Sequence, residues 1–396
     1  MNRFGKYCAM FIAVIFMLGL MGCTLVEVVP EKDRQRVVAE VFGEKVLKGE
    51  FLDVYNQQKA YYGITDEIEK DSQYKDTIKE IKKDVLEQLI TLKVLLKKAE
   101  QAGFTVNEEY LDKARKELEE QLKSYAELLK QQAESKEEEL QKEEDYLEEA
   151  KEEWRQYLSE AGLTEEEYIQ RLAEDIMLRE FAEKMLEDVE ATDQDIRQYY
   201  DEELNKQKED PSIIAMAPVQ LYRPAGWVRV KHILIPLSSE DREGYYDLIQ
   251  EGKEDEAEKY LDEKLKAIEP KAREVYDKAK AGESFEELIE AYSDDKSTTN
   301  KEDGYVIYEG SGLFTDEVEH AALKLEEGEV SQPIGSPLGY HIIKLYEKLP
   351  EKVFTLEETK DDIEAIVLSD KRNEKWNALL EEWKKEANIK KYENRL

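Results

Sequence analysis

The sequence predicts an α+β chain in which a mostly helical body is interrupted by one small mixed unit. Three observations carry that expectation. Apolar residues recur at three- and four-residue steps over most of positions 48–208 and again from Thr355 to Asn388, the rhythm of helices with one buried face. Two β-branched runs, Val228 to Ile235 and Gly339 to Leu345, read as strands, and each holds one of the chain's three histidines. Between Asp210 and Gly226 three of the nine prolines fall together, the clearest linker in the chain.

The N-terminus reads as an address. Arg3 and Lys6 form a positive segment, and Tyr7 to Leu20 is apolar and uncharged. That run is shorter than the ~20 apolar residues a spanning helix needs, so it reads as a signal-peptide core. Leu20-Met21-Gly22-Cys23 follows, with a small residue before the cysteine, and resembles a bacterial lipobox in which Cys23 becomes the lipidated first residue. Cys8 lies in the discarded part, which leaves Cys23 as the single mature cysteine and no disulfide or catalytic thiol.

Val37 to Val46, with a turn at Phe42-Gly43-Glu44, reads as a short strand segment feeding a helix from about Lys48 to Tyr62. A second helix, about Ser72 to Ala102, is stopped by Gly103. Over residues 107–161 apolar positions such as Leu111, Leu118, Leu122, Leu140, Trp154 and Tyr157 nearly keep one rhythm, but Gln131 to Glu139 is almost wholly polar. A helix of about fifty residues would span ~75 Å, so it either protrudes or folds back near Ser135; it is read as helix with a solvated tip. Thr164 with Glu167 caps a helix to about Val189, and Thr192 with Asp195 opens one to about Lys208. The C-terminal stripe Leu356, Ile363, Val367, Trp376, Leu379 and Trp383 is expected to pack on the N-terminal helices.

The chain has 94 acidic and 58 basic residues, a net charge of −36. Polyanionic partners are disfavoured, so no nucleic acid is expected. No Cys/His spacing of a zinc site, phosphate loop or Ser/His/Asp motif occurs, and no metal or cofactor is expected. His320 reads as a surface residue on the helix Glu317 to Leu325.

Between the two histidine strands the order is helix (Ala272 to Ala281), the words Ala281-Gly282-Glu283-Ser284-Phe285 and Tyr292-Ser293-Asp294-Asp295, and a Gly-rich loop. Then come a short helix and Leu325-Glu326-Glu327-Gly328-Glu329-Val330-Ser331-Gln332-Pro333-Ile334. Jointly, with His232-Ile233-Leu234-Ile235 and Leu338-Gly339-Tyr340-His341-Ile342-Ile343-Lys344, they resemble a parvulin-type peptidyl-prolyl isomerase domain. Val41 to Val46, Leu86 to Ile90 and Thr192 to Tyr200 resemble the chaperone domain of extracytoplasmic foldases, and with the lipobox the chain is similar to the PrsA-like foldase lipoproteins.

The resemblance implies a helical chaperone domain around an inserted unit with a four-stranded antiparallel sheet. Its boundaries would be 1–22 signal peptide, 23–210 N-terminal chaperone part, 211–226 linker, 227–349 isomerase unit and 350–396 closing helix. It implies a lipid-anchored protein on the outer face of the bacterial cell membrane that binds unfolded exported proteins. Relatives of this kind can pair, so a homodimer stays open. A non-catalytic holdase and a scaffold lipoprotein using the long helix stay open as well.

By the same resemblance His232 and His341 form the central pair, Asp295 stands near the prolyl amide, and Ser336 supports the network. Phe314, Val318 and Val306 would form the wall for the proline ring. An X–Pro bond has a barrier of ~18–20 kcal/mol with isomers of similar energy, so catalysis needs no nucleophile. It needs a site that favours the twisted peptide. Two departures from the family stand out. Its Gly-Gly-Asp-Leu-Gly run is Asp303-Gly304-Tyr305-Val306-Ile307 here, and its ring-packing aromatic is Val318. An acidic insert, 237–269, lengthens the segment after the first strand and lacks the basic cluster of phosphopeptide readers.

Overall fold

The computed structural model describes residues 31–135 and 142–396; the leader, Cys23 and residues 136–141 lie outside the described part. Two compact units emerge. One holds the residues up to Glu190 together with Leu368–Leu396, and the other is Ala191–Val367.

In the first unit, Val37–Val41 and Glu44–Leu47 form a hairpin whose outer edge is taken by Lys390–Lys391 from the far end of the chain. Phe42 and Gly43 both adopt positive φ, as a two-residue turn between strands requires. Lys48–Tyr61 and Lys75–Gln101 follow, and the second buries Val85, Leu86, Leu89, Ile90, Val94 and Ala99 along one stripe. That stripe meets Phe51, Phe181 of the Glu165–Met185 helix and Trp383 in one core. Phe181 stacks on Trp383 with ring centroids 5.6 Å apart. Losing such a buried ring costs about 3–5 kcal/mol.

Over 107–161 the described residues form two helices and not one. Glu108–Ser135 and Glu143–Glu160 lie side by side, joined by a small cluster of Ala126, Ala133, Tyr146 and Ala150 and by the Tyr125 hydroxyl donating to Glu153 at 2.5 Å. Three alanines, Ala126, Ala133 and Ala150, let the two helix backbones approach.

The second unit begins with Asp193–Glu209 and contains the expected sheet, in the order Tyr305–Ile307, Trp227–Pro236, Gly339–Leu349, Ile334–Ser336, all antiparallel. Glu254–Lys280 and Phe285–Tyr292 cover one face through Ile233, Ile235, Ala272, Val275, Phe285 and Ile342. Asp316–Leu323 covers the other through Val228, Val230, Val318, Ile343 and Leu345.

Three readings change here. The stretch 211–226 is packed rather than a free linker: it holds a 3-10 turn at Pro211–Met216, and Tyr222–Arg223 pairs with Lys352–Val353. Buried Gln207 pins it, donating to the Val219 carbonyl at 2.8 Å and accepting from the Leu221 N–H at 2.8 Å. Secondly, Leu356–Glu386 divides its stripe. Ile363 and Val367 pack with Ile196, Val219 and Leu221, whereas Trp376 and Trp383 belong to the first unit's core. The compact units divide at residues 190/191 and 367/368. Thirdly, the acidic insert is helical. Ser239–Gln250 and Glu254–Lys280 pack closely, and the expected 272–281 helix is only the last part of the second, which runs through Pro270.

Candidate isomerase site

His232 and His341 lie on neighbouring strands, where His232 faces Ile343 and His341 faces Leu234 in register. They are diagonal neighbours on one face, within reach of each other. Their rings lie nearly parallel, 15° apart with centroids at 5.3 Å, and their Nδ1 atoms are 3.2 Å apart. Both residues are buried.

The outer side of the His232 strand sets the rest of the site. Tyr305–Ile307 pairs only with Val228–Val230, so beyond that point the strand's backbone has no ladder partner. The loop 293–300 supplies one. Ser293 Oγ accepts from the Leu234 N–H, the Asp294 N–H donates to the Leu234 carbonyl, and the buried Asn300 side chain bonds both backbone groups of His232. Short polar side chains substitute for backbone in this way. Fastened so, the loop sets Asp295 Oδ2 2.8 Å from His232 Nε2.

At the other end, Ser336 Oγ lies 2.9 Å from His341 Nε2, and Ser336 itself is held in the turn by accepting from the Leu338 N–H. Gly339 makes this turn possible. Its φ is +139°, and a Cβ there would sit 2.1 Å from the Ile235 carbonyl oxygen.

The four groups form one chain of hydrogen bonds, and its direction follows from charge. Burial alone would raise the Asp295 carboxyl, but the Ser297 backbone N–H, the Tyr305 hydroxyl and His232 outweigh it and hold it at about 2. Burial lowers His232 against the opposing pull of Asp295, and burial with the neighbouring imidazole lowers His341 to about 3. Near neutrality Asp295 is ionised and both imidazoles are neutral. His232 Nε2–H then donates to Asp295, His341 Nδ1–H donates to His232 Nδ1, and the Ser336 hydroxyl donates to His341 Nε2. These tautomers are assigned from the network.

Phe314 closes the pair, edge-on to His232 at 4.9 Å and to His341 at 5.6 Å. Its loop is fixed by Glu319, which is fully buried. The Glu319 carboxylate accepts from the backbone N–H groups of Gly310, Ser311, Leu313 and Phe314 and from the Ser311 hydroxyl.

Of the residues expected from the sequence, the structure brings together His232, His341, Asp295, Ser336 and Phe314. Val306 is a correction: strand alternation turns it to the opposite face, where it packs with Ile214, Trp227 and Leu349, and its neighbour Tyr305 faces the histidines instead. Val318 is also corrected. It has no exposed surface and lies in one core with Val228, Val230 and Ile343, so it presents no side-chain surface beside Phe314. Tyr305, Asn300 and Glu319 also bond to these residues or their loops, and the only sequence signal among the three is the departure at Tyr305 from the family pattern. Cys23 lies outside the described residues. Among those residues no helix is long and apolar enough to cross a membrane, and no group of three or more His, Cys, Asp or Glu side chains is arranged to hold a metal.

A family model described as a PPIC-type PPIASE domain matches residues 232–347, and one described as a SurA-like N-terminal domain matches residues 2–182. The foldase protein PrsA of Clostridium botulinum (strain Okra / Type B1) is 28% identical over 390 residues, covering 96% of each chain. Its counterpart in Clostridium perfringens (strain 13 / Type A) is 28% identical over 403 residues, 99% of this chain and 96% of its own. The crystal structure of foldase protein PrsA from Streptococcus pneumoniae is similar at 22% identity with a TM-score of 0.32, covering 83% of this chain and 91% of that one. The chain thus carries a parvulin-type peptidyl-prolyl isomerase domain and a SurA-like N-terminal domain, and along nearly its whole length it is similar to the PrsA foldases.

Proposed function

We propose that the chain is a membrane-tethered extracytoplasmic foldase that binds unfolded exported proteins and catalyses cis–trans isomerisation of their X–Pro bonds. The observation that carries this reading is the 3.2 Å contact between the Nδ1 atoms of two buried histidines, held between an ionised Asp295 and Ser336.

Rotating the X–Pro bond removes amide resonance, so the transition state is less dipolar than the planar peptide. A site that binds it better must exclude water and offer fixed, uncharged polar groups. The His232–His341 pair meets that need because its tautomers are locked and its rings are neutral. Phe314 supplies apolar surface over both rings. In this scheme Asp295 and Ser336 fix the orientation of the imidazoles, and no covalent bond to the protein is formed.

The tether is supported by the sequence around Cys23 alone. Cys23→Ala is expected to move the chain out of the membrane fraction.

The test of the foldase reading is refolding of a proline-limited substrate. Wild-type chain is expected to accelerate the slow phase, and the His232→Ala/His341→Ala double variant to lose that acceleration while still suppressing aggregation. Equal slow phases with both proteins would favour a pure holdase.

A further inference from the structure

Tyr305 opens the strand Tyr305–Ile307 with its ring toward His232 and its hydroxyl on Asp295. Gly304 sets up its placement. With φ of +75°, Gly304 passes so close to the His232 strand that a Cβ would lie 2.6 Å from the Val230 carbonyl oxygen. Tyr305 then pairs with Val230, two residues from His232 on the same strand face.

From that position the ring meets two site residues. It is edge-on to His232, with centroids 5.6 Å apart, and perpendicular to Phe314 at 5.5 Å and 90°. Its hydroxyl donates to Asp295 Oδ2 at 2.8 Å, the same oxygen that receives His232 Nε2–H, and lies 3.0 Å from Ser297 Oγ. Ser297 reaches the same carboxylate through its backbone N–H, at 3.0 Å from Asp295 Oδ1.

The position left without an aromatic, Val318, is enclosed in the core and offers a bound ring no surface. Tyr305 remains partly exposed and contributes the ring that Val318 lacks.

We propose that Tyr305 has two tasks in this chain: its ring is the second aromatic wall of the prolyl pocket, and its hydroxyl positions Asp295 toward His232. This rests on the reading of His232 and His341 as the isomerase site. The two tasks are physically separable. The wall requires an aromatic face, because perpendicular aromatic pairs contribute beyond the area they bury. The positioning requires only the O–H, because a hydrogen bond to an ionised carboxylate stabilises the charged form. The low pKa of Asp295 agrees with such a donor.

Full-length chains carrying Tyr305→Phe and Tyr305→Leu test the two tasks, with kcat and KM measured separately on an X–Pro tetrapeptide. The Asp295 carboxyl is titrated by carbon NMR. Tyr305→Phe is expected to keep KM and to raise the Asp295 pKa by about one to two pH units, the equivalent of one charge-assisted hydrogen bond. Tyr305→Leu is expected to show the same rise and a KM increased about two- to tenfold. If Tyr305→Leu fails to fold, Tyr305→Met takes its place at similar volume. An unchanged KM in the aliphatic variant overturns the wall, and an unchanged Asp295 titration in Tyr305→Phe overturns the positioning. Absence of catalysis by the wild-type chain would instead overturn the underlying isomerase reading, which keeps the two failures distinguishable.

Discussion

Asn300 grips both backbone groups of His232: its Oδ1 accepts from the His232 N–H at 3.0 Å and its Nδ2 donates to the His232 carbonyl at 2.8 Å. One buried side chain thereby replaces a missing strand at the residue on which the site depends. Asn300→Ala would leave two buried backbone groups unpaired. A loss of about 2–4 kcal/mol is expected, from about 1–3 kcal/mol for each orphaned group with partial relaxation. Urea unfolding of the second unit checks it, and Asn300→Asp is expected to recover only the acceptor.

The histidine pair ties stability to pH in a definite direction. His341 is held at about 3 and His232 is also lowered from the usual 6.5. Between those limits the unfolded chain binds protons that the folded chain does not, so stability is full above about pH 6.5 and falls as pH drops toward 3. Each such proton contributes a slope of about 1.4 kcal/mol per pH unit. Asp295, held at about 2 against 3.8, adds a loss of the same sign only below about pH 3.8. His341→Asn is expected to flatten the curve between pH 6.5 and 4, as measured by urea midpoints at several pH values.

Glu319 is expected to control Phe314 at a distance from the reacting bond. Its carboxylate collects four backbone N–H groups and one hydroxyl of the Phe314 loop. Glu319→Gln would aim an amide NH₂ at part of that donor set. We expect a KM rise of about tenfold on an X–Pro tetrapeptide and a stability loss of about 2 kcal/mol. An unchanged KM alongside lost stability would reduce Glu319 to a core residue.

Restoring the family's aromatic at Val318 is expected to harm the chain. Val318 has no exposed surface and shares a core with Val228, Val230, Ile307 and Ile343, so Val318→Phe would overpack it. The expected cost is about 1–3 kcal/mol with no gain in proline affinity. Thermal unfolding and KM together decide the point.

The sheet and its histidines were legible because strands announce themselves by β-branched runs, and because two histidines in matching runs are rare in a chain with three. Asp295 and Ser336 came from words that flank those strands. Asn300 was not legible: nothing local marks a polar side chain that will substitute for backbone fifty or more residues away in sequence. Val306 and Tyr305 cannot be told apart by pattern alone, because a one-residue step along a strand reverses the face. The 211–226 stretch looked like a linker because its prolines are visible, while the buried Gln207 that pins it lies outside the stretch. The division of the C-terminal stripe between two cores could not be read from a helical rhythm that continues unbroken through Val367.

The uncharged His232–His341 pair, in its hydrogen-bond chain from Asp295 to Ser336, is expected to accelerate rotation about X–Pro bonds. The most direct measurement is cis–trans exchange of an X–Pro tetrapeptide by two-dimensional NMR, with wild-type chain and with His232→Ala/His341→Ala at equal concentration. The account predicts exchange cross-peaks with wild type that are reduced at least tenfold with the double variant, provided both are folded. Equal exchange rates with the two proteins would contradict it.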